Sequence, residues 1–187
     1  MTGAKLARQQ SRLNAAMPLV LFTDDSGRDW RAAARRLPRG SIVVIRGRDE
    51  QVRAALLEIL APLPGLRLLV ADDPDLAAAA DGLHLPEARA PAAAHWRARH
   101  PGWIITASAH SLRALMTLTH VDAAFLSPVF ATASHPGAPV LSPARAGFIA
   151  AAAPVPVYAL GGVDGRSATR LPRAFAGIAA IAGLCED

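Results

Sequence analysis

Short runs of apolar residues recur along the chain. The distance from the start of one run to the start of the next averages about 22 residues, which is the length of one β/α unit. Most of these runs are continuous rather than alternating, which is typical of parallel strands that are covered on both faces. The pattern predicts strands at residues 19–23, 41–46, 66–71, 82–85, 103–107, 123–129, 156–160 and 177–182. Eight such strands, each followed by a connecting segment, indicate an α/β fold.

The segments between the predicted strands are rich in alanine and arginine, a composition that favours helices. The clearest predicted helices are residues 29–37, 49–60, 91–100 and 111–119, and residues 74–80 leave room for two helical turns. Eight β/α units favour a single compact (βα)8 TIM barrel, and a doubly wound open sheet is the alternative. We assign residues 17–187 to the barrel and residues 1–16 to an N-terminal helical extension.

Composition narrows the classes of function. The net charge is +5, but the arginines are scattered with few aromatic residues among them, so we expect no nucleic-acid partner. No apolar run reaches about 18 residues, so we expect no membrane partner. The single cysteine, Cys185, excludes a disulfide within the chain and is compatible with a reducing cytoplasm. We expect a cytoplasmic homo-oligomer that binds a small molecule.

Polar side chains follow nearly every predicted strand. In a parallel barrel the carboxyl ends of the strands meet at one face, and active sites lie at that face. The polar residues at these ends include Asp24, Asp25, Arg46, Arg48, Asp72, Asp73, His84, Ser108, His110, Ser127 and Thr132. Their recurrence predicts a binding site at the carboxyl-terminal mouth of the barrel.

The stretch “YALGGVDGRS” predicts a phosphate site after the seventh strand. Gly161 and Gly162 lack side chains, so backbone N–H groups there can approach an anion, and the N-terminus of a helix expected to begin near Ser167 adds a partial positive charge. Gly183 closes the eighth strand, and phosphate groups often bind after the last two strands of such barrels. The alternative is that the glycine pair only turns the chain.

The order of motifs along the chain resembles that of the thiamine phosphate synthase/TenI superfamily, from about residue 19 to residue 183. The motifs are “FTDD”, “VIRGR”, “ADDPDLAAAADGLHLPEA”, “TASAHS”, “DAAFLSPVFATASHPG”, “ALGGV” and “GIAAIAG”. The resemblance implies a TIM barrel that binds small phosphorylated substrates of thiamine biosynthesis. It also implies that the loop after the sixth strand lies over the bound ligand.

In the synthase branch, the resemblance implies a site for a pyrimidine diphosphate with a Gln-x-Arg-x-Lys pattern. Arg46 matches the arginine of this pattern, whereas Val44 stands in place of the glutamine and Arg48 in place of the lysine. In the loop after strand six, Thr132 matches a threonine that binds the diphosphate, and His135 takes the place of a lysine. Ala182 stands where a phosphate-binding serine is usual, beside Gly183.

The synthase branch also uses Mg²⁺ held by two aspartates. Asp72 matches one of these, but Ala71 replaces the asparagine before it, and Arg89 stands about where the second aspartate is expected. An arginine at that place removes an oxygen ligand and adds a positive charge that repels the metal. We therefore expect either no cofactor, or Mg²⁺ at Asp72 if the chain is a synthase.

The TenI branch isomerises a carboxythiazole phosphate with a histidine in a Ser-x-His segment, and His110 occupies that position after Ser108. An imidazole is suited to moving a proton near neutral pH. His84, inside “GLHL”, is interpreted as an inward-facing residue that contributes to ligand binding with Ser108. Three hypotheses follow: a TenI-like thiazole tautomerase, thiamine-phosphate synthase itself with Asp72 in the reaction, and a non-catalytic sensor or carrier of a thiazole phosphate or thiamine phosphate.

Overall fold

A computed structural model of the chain describes residues 18–132, 137 and 139–184. Its parallel strands are β1 Val20–Phe22, β2 Ile42–Ile45, β3 Arg67–Ala71, β4 Gly82–Leu85, β5 Ile104–Ala109, β6 Ala123–Leu126, β7 Val157–Ala159 and β8 Gly177–Ala180. Each strand pairs with the next along the chain, and β8 pairs with β1, so the sheet closes into a barrel. The predicted (βα)8 barrel is confirmed, and the open sheet is excluded.

Helical segments connect the strands on the outside of the barrel. The α-helices are α1 Trp30–Arg35, α2 Glu50–Leu60, α3 Pro74–Ala77, α4 Ala93–Arg99, α5 Leu112–Met116 and α6 Pro143–Ala151. Short 3₁₀ helices span Glu87–Ala92, Ser167–Arg170 and Ala182–Leu184. Most of these helices are short, which is how a full barrel fits into 187 residues.

Two apolar clusters explain why the strands are apolar on both faces. One cluster fills the barrel interior and includes Val20, Phe22, Phe125 and Tyr158. The other lies between the strands and the surrounding helices, and in β1 it receives Leu21, the residue between two interior ones. Because successive side chains of a strand point to opposite faces, both sets are buried, and the runs of apolar residues are continuous.

Several element boundaries differ from those predicted. The predicted sixth and eighth strands, 123–129 and 177–182, end early at Leu126 and Ala180, and the fifth runs on through Ser108 to Ala109. The predicted helix at 91–100 begins instead as a 3₁₀ segment, and the helix at 29–37 is shorter because Asp29 caps it. Helix α6 was not predicted. The predicted extension at residues 1–16 lies outside the described residues.

Among the described residues, none of the helices has both the length and the apolar character needed to cross a lipid bilayer.

Candidate functional site

Two neighbouring clefts open at the carboxyl-terminal mouth of the barrel. The glycine cleft has a volume of about 230 Å³ and is lined by the residues after β7 and β8, with Asp24, Arg28 and Thr132. The mouth cleft has a volume of about 570 Å³, and its lining includes Arg46, Asp72, His84, Ser108 and His110. Leu160 lines both clefts, so the two clefts adjoin each other.

The glycine pair after β7 has backbone conformations that residues with side chains rarely adopt. The φ angle is +87° at Gly161 and +63° at Gly162. A Cβ atom on Gly161 would lie 2.8 Å from the Cα atom of Pro128, and one on Gly162 would overlap the carbonyl oxygen of Ala131. The glycines therefore allow the segment after β6 to pack directly against the end of β7.

The glycine cleft offers donors for an anion. Within the described chain, the N–H groups of Gly161 and Gly162 donate to no protein acceptor. Consecutive unpaired N–H groups of this kind form concave anion-binding sites. Arg28 adds a guanidinium to the same cleft, although it also pairs with the Asp24 carboxylate at 3.3 Å. This cleft is thus suited to a phosphate group.

The turn after the glycine pair is held by its own hydrogen bonds. The Ser167 hydroxyl donates to the carbonyl oxygen of Gly162 at 2.9 Å and accepts from the Asp164 N–H at 2.8 Å. The Asp164 carboxylate accepts from the N–H groups of Ser167 and Arg166, and the Ser167 bond in particular holds the pKa of Asp164 below its usual range. The expected helix near Ser167 is only a 3₁₀ turn, so the N–H groups of the glycines, rather than a helix terminus, provide the donors.

His110 lies at the rim of the mouth cleft with its imidazole held by the next strand end. Its Nδ1 atom is 2.8 Å from the carbonyl oxygen of Ser127 and 3.3 Å from the Ser127 hydroxyl. Its backbone N–H donates to the Glu87 carboxylate at 2.6 Å. The ring orientation is therefore fixed through Nδ1.

His84 lies in the barrel interior, as predicted from its place in “GLHL”. Its Nδ1 is 3.0 Å from the Thr106 hydroxyl, and its Nε2 is 3.0 Å from the Ser108 hydroxyl. The ring packs edge-on against Phe22 and Phe125. Burial lowers the pKa of His84 to about 3, with a further contribution from Arg46, so the imidazole is neutral at physiological pH. His84 therefore orients Ser108 at the floor of the mouth cleft.

Arg46 lines the mouth cleft and is anchored to the end of β1. Its Nε donates to the carbonyl oxygen of Thr23 at 3.2 Å, and its guanidinium carbon lies 5.9 Å from the Phe22 ring centroid. The Thr23 hydroxyl accepts from the Arg46 N–H at 2.8 Å and donates to the Arg46 carbonyl oxygen at 3.0 Å. Arg48, by contrast, lines neither cleft. It contacts Asp25 through its backbone N–H and not through its side chain.

The two adjacent aspartates after β3 have different partners. Asp73 caps helix α3 through the Leu76 N–H and pairs with Arg53 at 2.7 Å. Asp72 lines the mouth cleft, and its carboxylate is 3.7 Å from Nε of Arg89. Among the described residues, no three His, Cys, Asp or Glu side chains are grouped as metal ligands. Asp72 is already paired with a guanidinium, and Glu87 of the same cleft accepts from the His110 N–H, so this lining does not fit Mg²⁺, which needs several oxygen ligands.

The remaining predicted site residues are placed as follows. Thr132, Ala182 and Gly183 line the glycine cleft. His135 lies outside the described residues. Sequence reasoning gave no role to Arg28 or Glu87, which the fold brings to the two clefts. Arg28 lies outside the quoted motifs, and Glu87 lies near the end of “ADDPDLAAAADGLHLPEA” with no signal of its own, so the three-dimensional arrangement is what identifies their place at the clefts.

Comparison with known proteins relates the whole barrel to one family. The family model described as “Thiamine monophosphate synthase” matches residues 19–184. A curated relative, “Putative thiamine-phosphate synthase 2” of Aquifex aeolicus (strain VF5), is 40% identical over 90 residues. That alignment covers 47% of this chain and 48% of the relative, so it spans about half the length of the relative.

Solved structures share the barrel fold. A thiamine phosphate pyrophosphorylase from Pyrococcus furiosus matches with a TM-score of 0.73 and 23% identity, over 95% of this chain and 88% of that chain. A FabK variant from Thermotoga maritima matches with a TM-score of 0.62 and 14% identity, over 95% of this chain and 64% of that chain. At these identities the likeness establishes the fold alone.

Proposed function

The chain belongs to the thiamine monophosphate synthase family, and from this premise we propose that it binds a thiazole phosphate and isomerises a carboxythiazole phosphate tautomer. The phosphate lies in the glycine cleft and the ring extends into the mouth cleft. His110 exchanges the proton. The observation that carries this proposal is the hydrogen bond between Nδ1 of His110 and the carbonyl oxygen of Ser127.

That hydrogen bond selects the reactive nitrogen of His110. A carbonyl oxygen can only accept, so the proton of the neutral imidazole resides on Nδ1, and Nε2 carries the lone pair. Nε2 is therefore the base. Tautomerisation moves one proton from one carbon of the substrate to another, with no other change in composition. Nε2 takes up the first proton and returns it, while the Nδ1–H bond to Ser127 persists in both charge states.

The phosphate anchor supports this arrangement. The N–H groups of Gly161 and Gly162 and the guanidinium of Arg28 line the cleft next to the one that contains His110. Holding the phosphate there fixes the ring relative to Nε2 during proton transfer, which is how binding energy remote from the reacting atoms serves catalysis.

The test is the rate of aromatisation of the carboxythiazole phosphate tautomer. Wild-type protein should accelerate it, and His110→Gln should reduce that rate about 100-fold or more, because general acid–base catalysis contributes about that much. Affinity for thiazole phosphate should stay within about threefold, since the phosphate contacts are intact. His95→Gln is the matched control, because His95 is exposed on α4 and lines neither cleft. No acceleration by the wild type, or full activity in His110→Gln, would contradict the proposal.

Thiamine-phosphate synthase is the second candidate, because the curated relative carries that description. This reaction joins a pyrimidine diphosphate to a thiazole phosphate and releases diphosphate. The pairing of Asp72 with Arg89 argues against it, because it leaves little to hold Mg²⁺ beside the leaving group.

We predict that diphosphate release from the two substrates stays at background, with or without Mg²⁺. Release that depends on Mg²⁺ and falls in Asp72→Ala would establish the synthase instead. Tight binding of thiazole phosphate without turnover in either assay would identify a non-catalytic sensor or carrier.

A further inference from the structure

Arg46 is a charged side chain of the mouth cleft that has no carboxylate within ion-pair distance among the described residues. Its guanidinium forms no ion pair, and its two terminal nitrogens donate to no protein acceptor. Neighbouring charged groups already have partners within the protein. Arg53 pairs with Asp73 at 2.7 Å and Asp72 with Arg89 at 3.7 Å, and the Glu87 carboxylate accepts a hydrogen bond from the His110 backbone N–H at 2.6 Å.

The guanidinium is also held in place and partly removed from water. The carbonyl oxygen of Thr23 accepts from Nε, and the Phe22 ring lies on one side of the group. Burial lowers the pKa of Arg46, although Asp24 and Asp25 act in the opposite direction. The two aspartates lie beyond ion-pair distance, and a partly buried guanidinium whose terminal nitrogens make no hydrogen bond is costly. Its terminal nitrogens are therefore positioned for an anion that the protein itself does not supply.

We propose that Arg46 binds a carboxylate of the ligand whose phosphate lies in the glycine cleft, so the site selects small molecules with an anionic group at each end. This inference rests on the proposed function and deepens it. Two parallel N–H donors of a guanidinium match the two oxygens of a carboxylate. A diphosphate carries more charge than one guanidinium neutralises, and the described residues group no three His, Cys, Asp or Glu side chains that could hold a metal ion to help.

The experiment compares two ligands by calorimetry: the aromatic carboxythiazole phosphate and the same thiazole phosphate without its carboxylate. Arg46→Gln should weaken the first about 10-fold to 100-fold and the second less than about twofold, as expected for loss of a charge-assisted hydrogen-bond pair. Arg67→Gln is the matched control. It removes the same charge from an arginine at the amino-terminal end of β3, where Arg67 pairs with Asp81, and it should change neither affinity.

Each outcome has one reading. Equal weakening of both ligands by Arg46→Gln, or weakening of neither, overturns the inference while leaving the proposed function in place. Binding of neither ligand by the wild type overturns both. If Arg46→Gln does not fold, Arg46→Lys replaces it. This variant keeps the charge and loses the paired donors, so it should still weaken the carboxylated ligand selectively, by about threefold or more.

Discussion

At the residue scale, the two histidines at the barrel mouth differ in chemistry because their surroundings differ. His84 is 3% exposed and both of its ring nitrogens contact hydroxyl groups, whereas His110 is exposed and is held through Nδ1 by Ser127. Because burial lowers the pKa of His84 to about 3, this ring does not take up a proton at neutral pH. It can orient Ser108, and the proton transfer that we propose is assigned to His110.

We predict that His84 makes the fold less stable as the pH falls from 6.5 to 5. A histidine of the unfolded chain takes up a proton near pH 6.5, whereas folded His84 stays neutral until the pH approaches 3. The unfolded state therefore binds more protons in this window. The contribution of His84 to the free energy of unfolding is complete above pH 6.5, is lower by about 2 kcal/mol at pH 5, and continues to fall towards pH 3.

Urea unfolding at a series of pH values measures this contribution. The slope of the free energy of unfolding against pH should be smaller in His84→Gln than in the wild type. His95→Gln is the control, and it should retain the part of the slope that His84 contributes. Equal slopes in wild type and His84→Gln would contradict the prediction. So would a nuclear magnetic resonance titration in which the His84 ring protonates above pH 5.

Sequence reasoning located the polar strand ends but could not decide between adjacent residues. Arg46 lines the mouth cleft while the Arg48 side chain does not, and Asp72 faces the cleft while Asp73 caps α3 and pairs with Arg53. These outcomes depend on partners from other strand ends, which a local pattern does not specify. The choice between a phosphate site and a simple chain turn at the glycine pair also remained open, because it too depends on residues from other strand ends.

At the element scale, the shape of the barrel mouth is set by the close packing of the segment after β6 against the end of β7. The Val129 N–H donates to the carbonyl oxygen of Leu160, and the Phe130 N–H donates to that of Gly161, both at 3.0 Å. These hydrogen bonds extend the β6–β7 pairing beyond the strands themselves. The approach is possible because residue 162 has no side chain.

We predict that Gly162→Ala loosens this packing and weakens phosphate binding. The new Cβ would overlap the carbonyl oxygen of Ala131, and alanine is disfavoured at a φ of +63° by about 1–2 kcal/mol before any clash. We expect a loss of about 2 kcal/mol or more in the free energy of unfolding, and at least tenfold weaker binding of thiazole phosphate. Urea unfolding and calorimetry measure the two effects.

Gly102→Ala is the matched control, because no atom lies within 4 Å of the Cβ it would add and its φ is ordinary. This variant should match the wild type in both measurements. Wild-type stability and affinity in Gly162→Ala would show that the segment after β6 can move away without consequence, which contradicts the prediction.

The elements that sequence reasoning missed carry weaker signals. Helix α6 has one start signal, Pro143 at its first position, but no side chain caps its first N–H groups. It follows a loop that is rich in proline, and its alanine run has no polar periodicity. Strand β6 ends before Ser127 and Pro128, and beyond that point Val129 and Phe130 bond to the backbone at the end of β7 rather than continue the strand.

At the scale of the whole molecule, the topology could be predicted because eight apolar runs, spaced on average by the length of one β/α unit, admit few arrangements. Closure itself depends on the interior, where side chains from non-adjacent strands meet. Phe22 of β1 and Phe125 of β6 pack edge to face with ring centroids 4.8 Å apart, and Tyr158 of β7 lies 5.4 Å from Phe125. His84 completes this layer beneath the mouth cleft.

We predict that Phe125→Ala lowers the free energy of unfolding by about 3–5 kcal/mol, because it leaves a cavity in the layer that connects opposite sides of the barrel. Phe148→Ala removes the same ring from α6, where the side chain is 80% exposed, and should change the free energy by less than about 0.5 kcal/mol. Urea unfolding followed by tryptophan fluorescence and by far-ultraviolet circular dichroism measures both. The two signals should give coincident transitions, since the tryptophans outside the barrel and the strands inside it share one closed structure. Separate transitions, or a loss in Phe125→Ala no larger than that in Phe148→Ala, would show that the interior layer does not hold the barrel together as a unit.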